Sequence, residues 1–210
     1  MTIQRFEDLM KRLPLVAILR GLKPEKALDV GHILRDAGFR LIEVPLNSPE
    51  PLKCIEILAK ALGDDCLVGA GTVLEAQQVD DVHRAGGALI VSPNTNAAVI
   101  ERACANGQIP LPGFSSATEA FAALAAGARY LKLFPASTYG AGHVKALKAV
   151  LPQDAHILAV GGVGANDVPH WQAQGASGFG IGGELFKPDY SLDDIKNRAE
   201  ALVKGYQAAC

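Results

Sequence analysis

A closed (β/α)8 TIM barrel, one domain over residues 1–210 with a leading helix in front of it, is the fold that this sequence predicts. Three observations carry the expectation. Eight short Val/Ile/Leu-rich runs follow one another, each succeeded by an Ala-rich helical pattern, at a spacing of about 20–27 residues. The runs are apolar throughout, as parallel strands are when both faces are covered. An open doubly wound sheet shares the alternation, but no GxGxxG follows the first run and the count of eight favours closure.

Residues 3–13 place Ile3, Phe6, Leu9, Met10 and Leu13 at helical spacing, and Pro14 ends the run. The first strand is expected over Leu15–Arg20, with a helix near 24–37 that has Pro24 in its first turn and Gly38 behind it. Leu41–Leu46 is followed by a helix near 50–62 closed by Gly63, and Leu67–Val73 by one near 75–85 closed by Gly86. Leu89–Pro93 precedes a helix near 96–106 closed by Gly107. The fifth run, Ile109–Phe114, leads to a helix near 117–126 that opens on Ser116 and Glu119, spaced as a capping box. Tyr130–Pro135 precedes a helix near 142–150, Ile157–Gly162 one near 166–174, and Gly178–Gly182 a final helix over 191–209.

Composition narrows the function classes. Nearly half the residues are apolar, 49%, which suffices for a sizeable core. A formal charge of −2 gives no electrostatic footprint for nucleic acid or an anionic membrane, so neither is expected as a partner. No basic stretch followed by an apolar one opens the chain, and no apolar run reaches about 18 residues, so a soluble cytoplasmic protein is expected. Cys54, Cys66, Cys104 and Cys210 show no CxxC spacing; with Cys54 and Cys104 in helical patterns and Cys66 beside a strand, they read as reduced core thiols.

A barrel of this kind carries its site at the C-terminal ends of the strands. The polar or flexible residues there are Arg20, Glu43 with Asn47, Thr72, Ser92 with Asn94, Ser115, Lys132, Gly161-Gly162 and Gly182-Gly183. Period-two alternation turns Tyr130, Lys132 and Phe134 into the barrel and Leu131 and Leu133 toward the helices. The same phase sends Leu41, Glu43 and Pro45 inward and Ile42 and Val44 outward. A lysine and a glutamate thus enter one narrow interior, where burial lowers the lysine pKa and raises that of the glutamate. Such a lysine can attack a carbonyl to give a Schiff base, with the glutamate shuttling protons. A purely structural buried ion pair explains these two residues equally well.

Arg20, followed by Gly21, could clamp a carboxylate in bidentate fashion, and Gly69-Ala70-Gly71-Thr72 lets a ligand approach backbone closely. With Lys132 and Glu43 these residues suggest a keto-acid site. The glycine turns after the seventh and eighth strands lead to expected helix N-termini, the usual barrel phosphate site, although glycines also serve tight turns alone. His32, His83 and His170 fall in helical patterns, His143 opens a helix, and His156 begins a strand at the wrong end of the barrel. No metal cluster is therefore expected at the strand ends. Ser115-Ser116 has no evident base and no GxSxG occurs, which disfavours a serine hydrolase.

Several stretches together resemble the class I aldolases of 2-keto-3-deoxy-6-phosphosugar acids, along essentially the whole chain. They are Ile18-Leu19-Arg20-Gly21, Glu43 through Pro49, Gly69 through Val73, Ser92-Pro93-Asn94, Lys132 through Pro135 and Val160 through Val163. Within that family the galactonate-type members are the most similar. Gluconate-type members typically carry arginine and threonine where this chain has Asn47-Ser48, and tend to carry threonine where it has Val160. Galactonate-type members often have serine where this chain has Gly183, which removes a side-chain donor but no backbone one.

The resemblance implies cleavage of 2-dehydro-3-deoxy-6-phospho-D-galactonate to pyruvate and D-glyceraldehyde 3-phosphate, with no cofactor and no metal. Lys132 and Glu43 would be catalytic. Arg20 and Thr72 would hold the carboxylate end, Gly161, Gly162, Gly182 and Gly183 the phosphate, and Pro93 would also contact the substrate. A homotrimer is implied as well. The phosphogluconate or 4-hydroxy-2-oxoglutarate acid is the alternative substrate, and a non-catalytic phosphosugar-binding barrel the alternative class.

Overall fold

Parallel strands cannot be joined by tight hairpins, and this chain returns by a helix between almost every pair. The computed structural model describes residues 2–209. In order come α1 (Thr2–Arg12), β1 (Leu15–Ile18), α2 (Pro24–Ala37), β2 (Leu41–Pro45), α3 (Pro51–Leu62), β3 (Leu67–Gly71) and α4 (Ala76–Arg84). Then follow β4 (Leu89–Val91), α5 (Ala97–Ala105), β5 (Ile109–Leu111), β6 (Gly113–Phe114), α6 (Ala117–Ala125), β7 (Tyr130–Leu133), α7 (Ala136–Tyr139) and α8 (Ala141–Lys148). The chain ends with β8 (His156–Val160), a 3-10 turn (Ala165–Asp167), α9 (Val168–Ala173), β9 (Gly178–Ile181) and α10 (Leu192–Ala209).

The strands pair in the order β5-β4-β3-β2-β1-β9-β8-β7-β6, all parallel. The two ends of that order are one run of chain, expected as a continuous fifth strand and found broken at Pro112. Proline has no N–H to give a ladder. Its carbonyl still accepts from Lys132 N at 2.8 Å, while Leu111 O accepts from Ser92 N at 3.2 Å, so the broken strand bridges both neighbours and closes the barrel. The expected strands otherwise run one or two residues too far. α7 was not expected: four residues are too few to show a helical period. The helix foreseen near 166–174 divides into the 3-10 turn and the six-residue α9.

Caps fall where the side chains can make them. Ser116 Oγ accepts from Glu119 N at 3.3 Å while Glu119 Oε2 accepts from Ser116 N at 2.9 Å, the expected capping box of α6. Gly38, at φ 114°, closes α2 in the left-handed conformation that glycine alone adopts readily.

Two apolar layers result. Val16, Leu41, Leu67, Leu89, Ile109, Leu111, Tyr130, Leu158 and Val160 fill the barrel, joined from below by Phe6, Leu9 and Met10 of α1. Ile42, Val44, Val68, Ile90, Leu131, Leu133 and Ile157 face outward onto the helices. This is the predicted phase of β2 and β7. Each large side chain so buried contributes roughly 1.5–3 kcal/mol. Cys54 and Cys66 lie in this core, and burial pushes both thiols up to about 11. Cys104 corrects the expectation: it stands one position beyond the buried Val99, Ile100 and Ala103 of α5 and is exposed. Cys210 lies outside the described residues. No helix among the described residues is long and apolar enough to cross a membrane.

Candidate active site

Alternation along β2 and β7 drives two ionisable side chains into the barrel from different strands. Glu43 is 2% exposed and Lys132 8%. Room for the carboxylate exists because position 71 is glycine: a Cβ there would lie 2.0 Å from Glu43 Oε2. The Lys132 ammonium lies 4.7 Å from the centre of the Phe134 ring.

Burial dominates the electrostatics of both groups. It raises Glu43 to about 7, against the opposing pull of Lys132 and Arg20. It lowers Lys132 below the usual lysine range; Glu43 opposes that shift and Arg20 adds to it. Neither residue takes part in an ion pair among the described residues, and Glu43 Oε2 is buried without a hydrogen-bond partner. A structural ion pair would hold its charges in contact. Here a carboxyl and an amine border one cavity without forming such a contact among the described residues.

Arg20 leaves the end of β1 exposed, with its guanidinium on the same cavity. Its Nη1 donates to Asn47 Oδ1 at 2.8 Å, and Gly21 N donates to Ser48 Oγ at 2.9 Å. Asn47 was visible in the sequence only as a strand-end residue, and its service to Arg20 depends on how two loops meet. Thr72 directly follows β3 with φ 57°, a left-handed backbone that a β-branched residue adopts only under constraint. Thr72 and Pro93 end neighbouring strands at this rim but do not line the cavity itself. Ser92 is structural, its Oγ donating to Val73 O at 2.7 Å, and Ser115 donates to the Glu119 carboxylate of the α6 cap.

Gly161 (φ 96°) and Gly162 (φ 72°) turn the chain sharply after β8. Gly182-Gly183 follow β9, but no regular helix starts there. Leu185 N and Phe186 N both donate to Gly182 O, at 2.8 and 3.0 Å, making one helical turn, and α10 begins only at Leu192. The expected final helix is thus found as α10, separated from the glycines by this single turn, and a short 3-10 turn stands after β8. The four glycines nonetheless meet at one place. They wall one side of a cavity of about 190 Å³ whose other side carries Lys132, Glu43 and Arg20.

A wider hollow of about 600 Å³ lies at the opposite end, between α1 and the β3 region, near Arg5, Asp8 and Cys66. It contains neither Lys132 nor Glu43. No three His, Cys, Asp or Glu side chains converge to hold a metal among the described residues.

The comparisons with known proteins agree with one another. A family model described as KDPG and KHG aldolase matches residues 6–204. The 2-dehydro-3-deoxy-6-phosphogalactonate aldolase of Escherichia coli is 47% identical over 199 residues, 94% of this chain and 97% of that protein. A solved structure described as native KDPGal superposes with a TM-score of 0.92 at 46% identity, covering 94% of this chain and 96% of that one. A cube-shaped, highly porous protein cage designed by fusing symmetric oligomeric domains superposes with a TM-score of 0.93 at 46% identity, covering 94% of this chain and 73% of that one.

Proposed function

The chain belongs to the KDPG and KHG aldolase family, and from that premise we propose that it cleaves 2-dehydro-3-deoxy-6-phospho-D-galactonate to pyruvate and D-glyceraldehyde 3-phosphate through an imine on Lys132. The observation that carries this reading is the unpaired Lys132 and Glu43 facing one cavity, each moved by burial toward its neutral form. A neutral amine is the nucleophile that imine formation needs. A carboxyl titrating at about 7 can both give and take a proton near neutrality.

The steps balance without a metal or cofactor. Lys132 attacks C2 of the keto acid, Glu43 moves the protons of the carbinolamine, and water leaves to give a protonated imine. Glu43 as carboxylate then takes the C4 hydroxyl proton while the C3–C4 bond breaks, and its electron pair flows into the iminium. Glyceraldehyde 3-phosphate departs. The enamine is protonated at C3 and hydrolysed to pyruvate, freeing the amine.

In this proposal Arg20, held by Asn47, clamps the carboxylate, with Thr72 and Pro93 at the same end. The amides of Gly161, Gly162, Gly182 and Gly183 hold the phosphate. The enzyme acts in the cytoplasm as a homotrimer. The cage relative, described as built from symmetric oligomeric domains, supports the assembly reading.

The test is pyruvate release from the galactonate and gluconate acids, which differ at C4, measured side by side. A higher kcat/KM for the galactonate epimer is expected. Preference for the gluconate epimer would reassign the substrate, and no pyruvate from either would leave a phosphosugar-binding barrel.

A further inference from the structure

Gly183 differs from the glycines that face it. Gly161 and Gly162 need their residue type for a left-handed backbone, whereas Gly183 has no such φ. Nor is it crowded: a Cβ built there would meet one neighbour within 4 Å, Lys187 Cε at 4.0 Å. Position 183 therefore leaves the wall of the cavity low, and the stem of Lys187, which does not itself line the cavity, passes beside it.

The segment that delivers this lysine is anchored on three sides. The single turn from Gly182 to Phe186 sets residue 187 over residue 183, as an i, i+4 pair. Pro188 packs against the end of β1, its Cγ 2.6 Å from where a Cβ on Gly21 would stand, and Pro188 O accepts from Lys26 Nζ at 3.3 Å. Tyr190 donates its hydroxyl to Gly183 O at 3.5 Å, and its ring centre lies 5.5 Å from the Lys187 ammonium. Lys187 takes part in no ion pair among the described residues. Its ammonium is exposed beside the Tyr190 ring, next to the segment that carries Gly183. The wall also carries Glu184, whose carboxylate approaches to 2.9 Å of a Cβ built on Gly164. A carboxylate there opposes a bound dianion, and a nearby cation offsets it.

We propose that Lys187 is a further substrate-binding residue, whose ammonium closes over a phosphate monoester held by the amides of Gly161, Gly162, Gly182 and Gly183. This rests on the aldolase reading above. Backbone amides position the phosphate, and the lysine supplies the charge they lack.

The full-length enzyme is tested as Lys187→Ala and Lys187→Arg, with three readouts. These are KM for the phosphorylated keto acid, inhibition by inorganic phosphate, and exchange of the pyruvate methyl hydrogens with solvent. The last uses Lys132 and Glu43 but involves no phosphate. Lys187→Ala should raise KM and the phosphate inhibition constant about tenfold, as loss of one charge-assisted contact does. Its pyruvate exchange should keep the wild-type rate, and Lys187→Arg should recover most of the affinity. Unchanged KM and phosphate inhibition in Lys187→Ala would overturn the assignment, as would a parallel fall in pyruvate exchange. Wild-type enzyme that exchanges pyruvate but neither cleaves the phosphorylated acid nor binds phosphate would instead remove the substrate reading beneath it.

Discussion

The two ends of the barrel interior are built from the same strands and treat burial in opposite ways. On β7, Tyr130 points inward at the lower end and Lys132 two residues above it. Tyr130 stacks on His156 with ring centres 4.7 Å apart, and Phe6 of α1 meets it edge-on, also at 4.7 Å. Burial raises the Tyr130 pKa and lowers that of His156, yet both rings are packed against partners. At the upper end burial shifts Glu43 and Lys132 as well, but there the groups line a cavity and Glu43 Oε2 has no hydrogen-bond partner among the described residues. Burial alone is therefore no signature of chemistry. Burial without a partner, beside a cavity, is.

The largest break of this contrast comes from Lys132→Ala. Turnover should fall at least about thousandfold, since the covalent route itself is lost, while circular dichroism reports an intact fold. The counterpart at the closed end is Phe6→Ala. It should cost about 3–5 kcal/mol in urea unfolding, with kcat per folded molecule unchanged. If instead Phe6→Ala abolished activity in folded protein, the two ends would not be separable.

Glu43→Gln should act on both ledgers. Turnover should fall about a hundredfold, and the rise of kcat/KM with pH through about 7 should disappear, because that limb reports ionisation of Glu43. Stability should move the other way. The folded-state pKa of about 7 lies above the ordinary 4.5, so from pH 4.5 to 7 the folded protein holds a proton that the unfolded chain has released. Glu43 thus subtracts stability as pH rises through that window. Glu43→Gln should be more stable than wild type at pH 8, by at most about 3 kcal/mol, and the gain should vanish near pH 4.5. Thermal melts across pH read this directly.

The smallest effect should come from Asn47→Ala. Without its 2.8 Å acceptor the Arg20 guanidinium loses orientation, and KM for the keto acid should rise about threefold to tenfold. The change should be absent in an Arg20→Ala background. Additive effects would mean that Asn47 does not act through Arg20.

How much of this the sequence displayed follows from which interactions are local. The inward phase of Glu43 and Lys132 was legible because alternation in a strand covered on both faces needs only neighbouring residues. The Ser116–Glu119 cap was legible for the same reason. Pro112 splits the fifth strand invisibly, since its neighbours keep the apolar pattern. Cys104 misled because an Ala-rich helix gives little contrast between its faces. The single turn after Gly182 was not foreseen, because it is too short to show a period before Pro188 ends it. Asn47 on Arg20 is a contact between loops, and no periodicity reports it. Lys187 over Gly183 is local, but its single turn is too short to show a period.

The central claim is that Lys132 carries the imine, and reductive trapping tests it most directly. Wild-type enzyme is treated with pyruvate and borohydride, digested, and sequenced by mass spectrometry, with Lys132→Ala alongside. A reduced pyruvate adduct on Lys132, absent from the variant, is the predicted result. No adduct, or an adduct on a different lysine, would contradict the account.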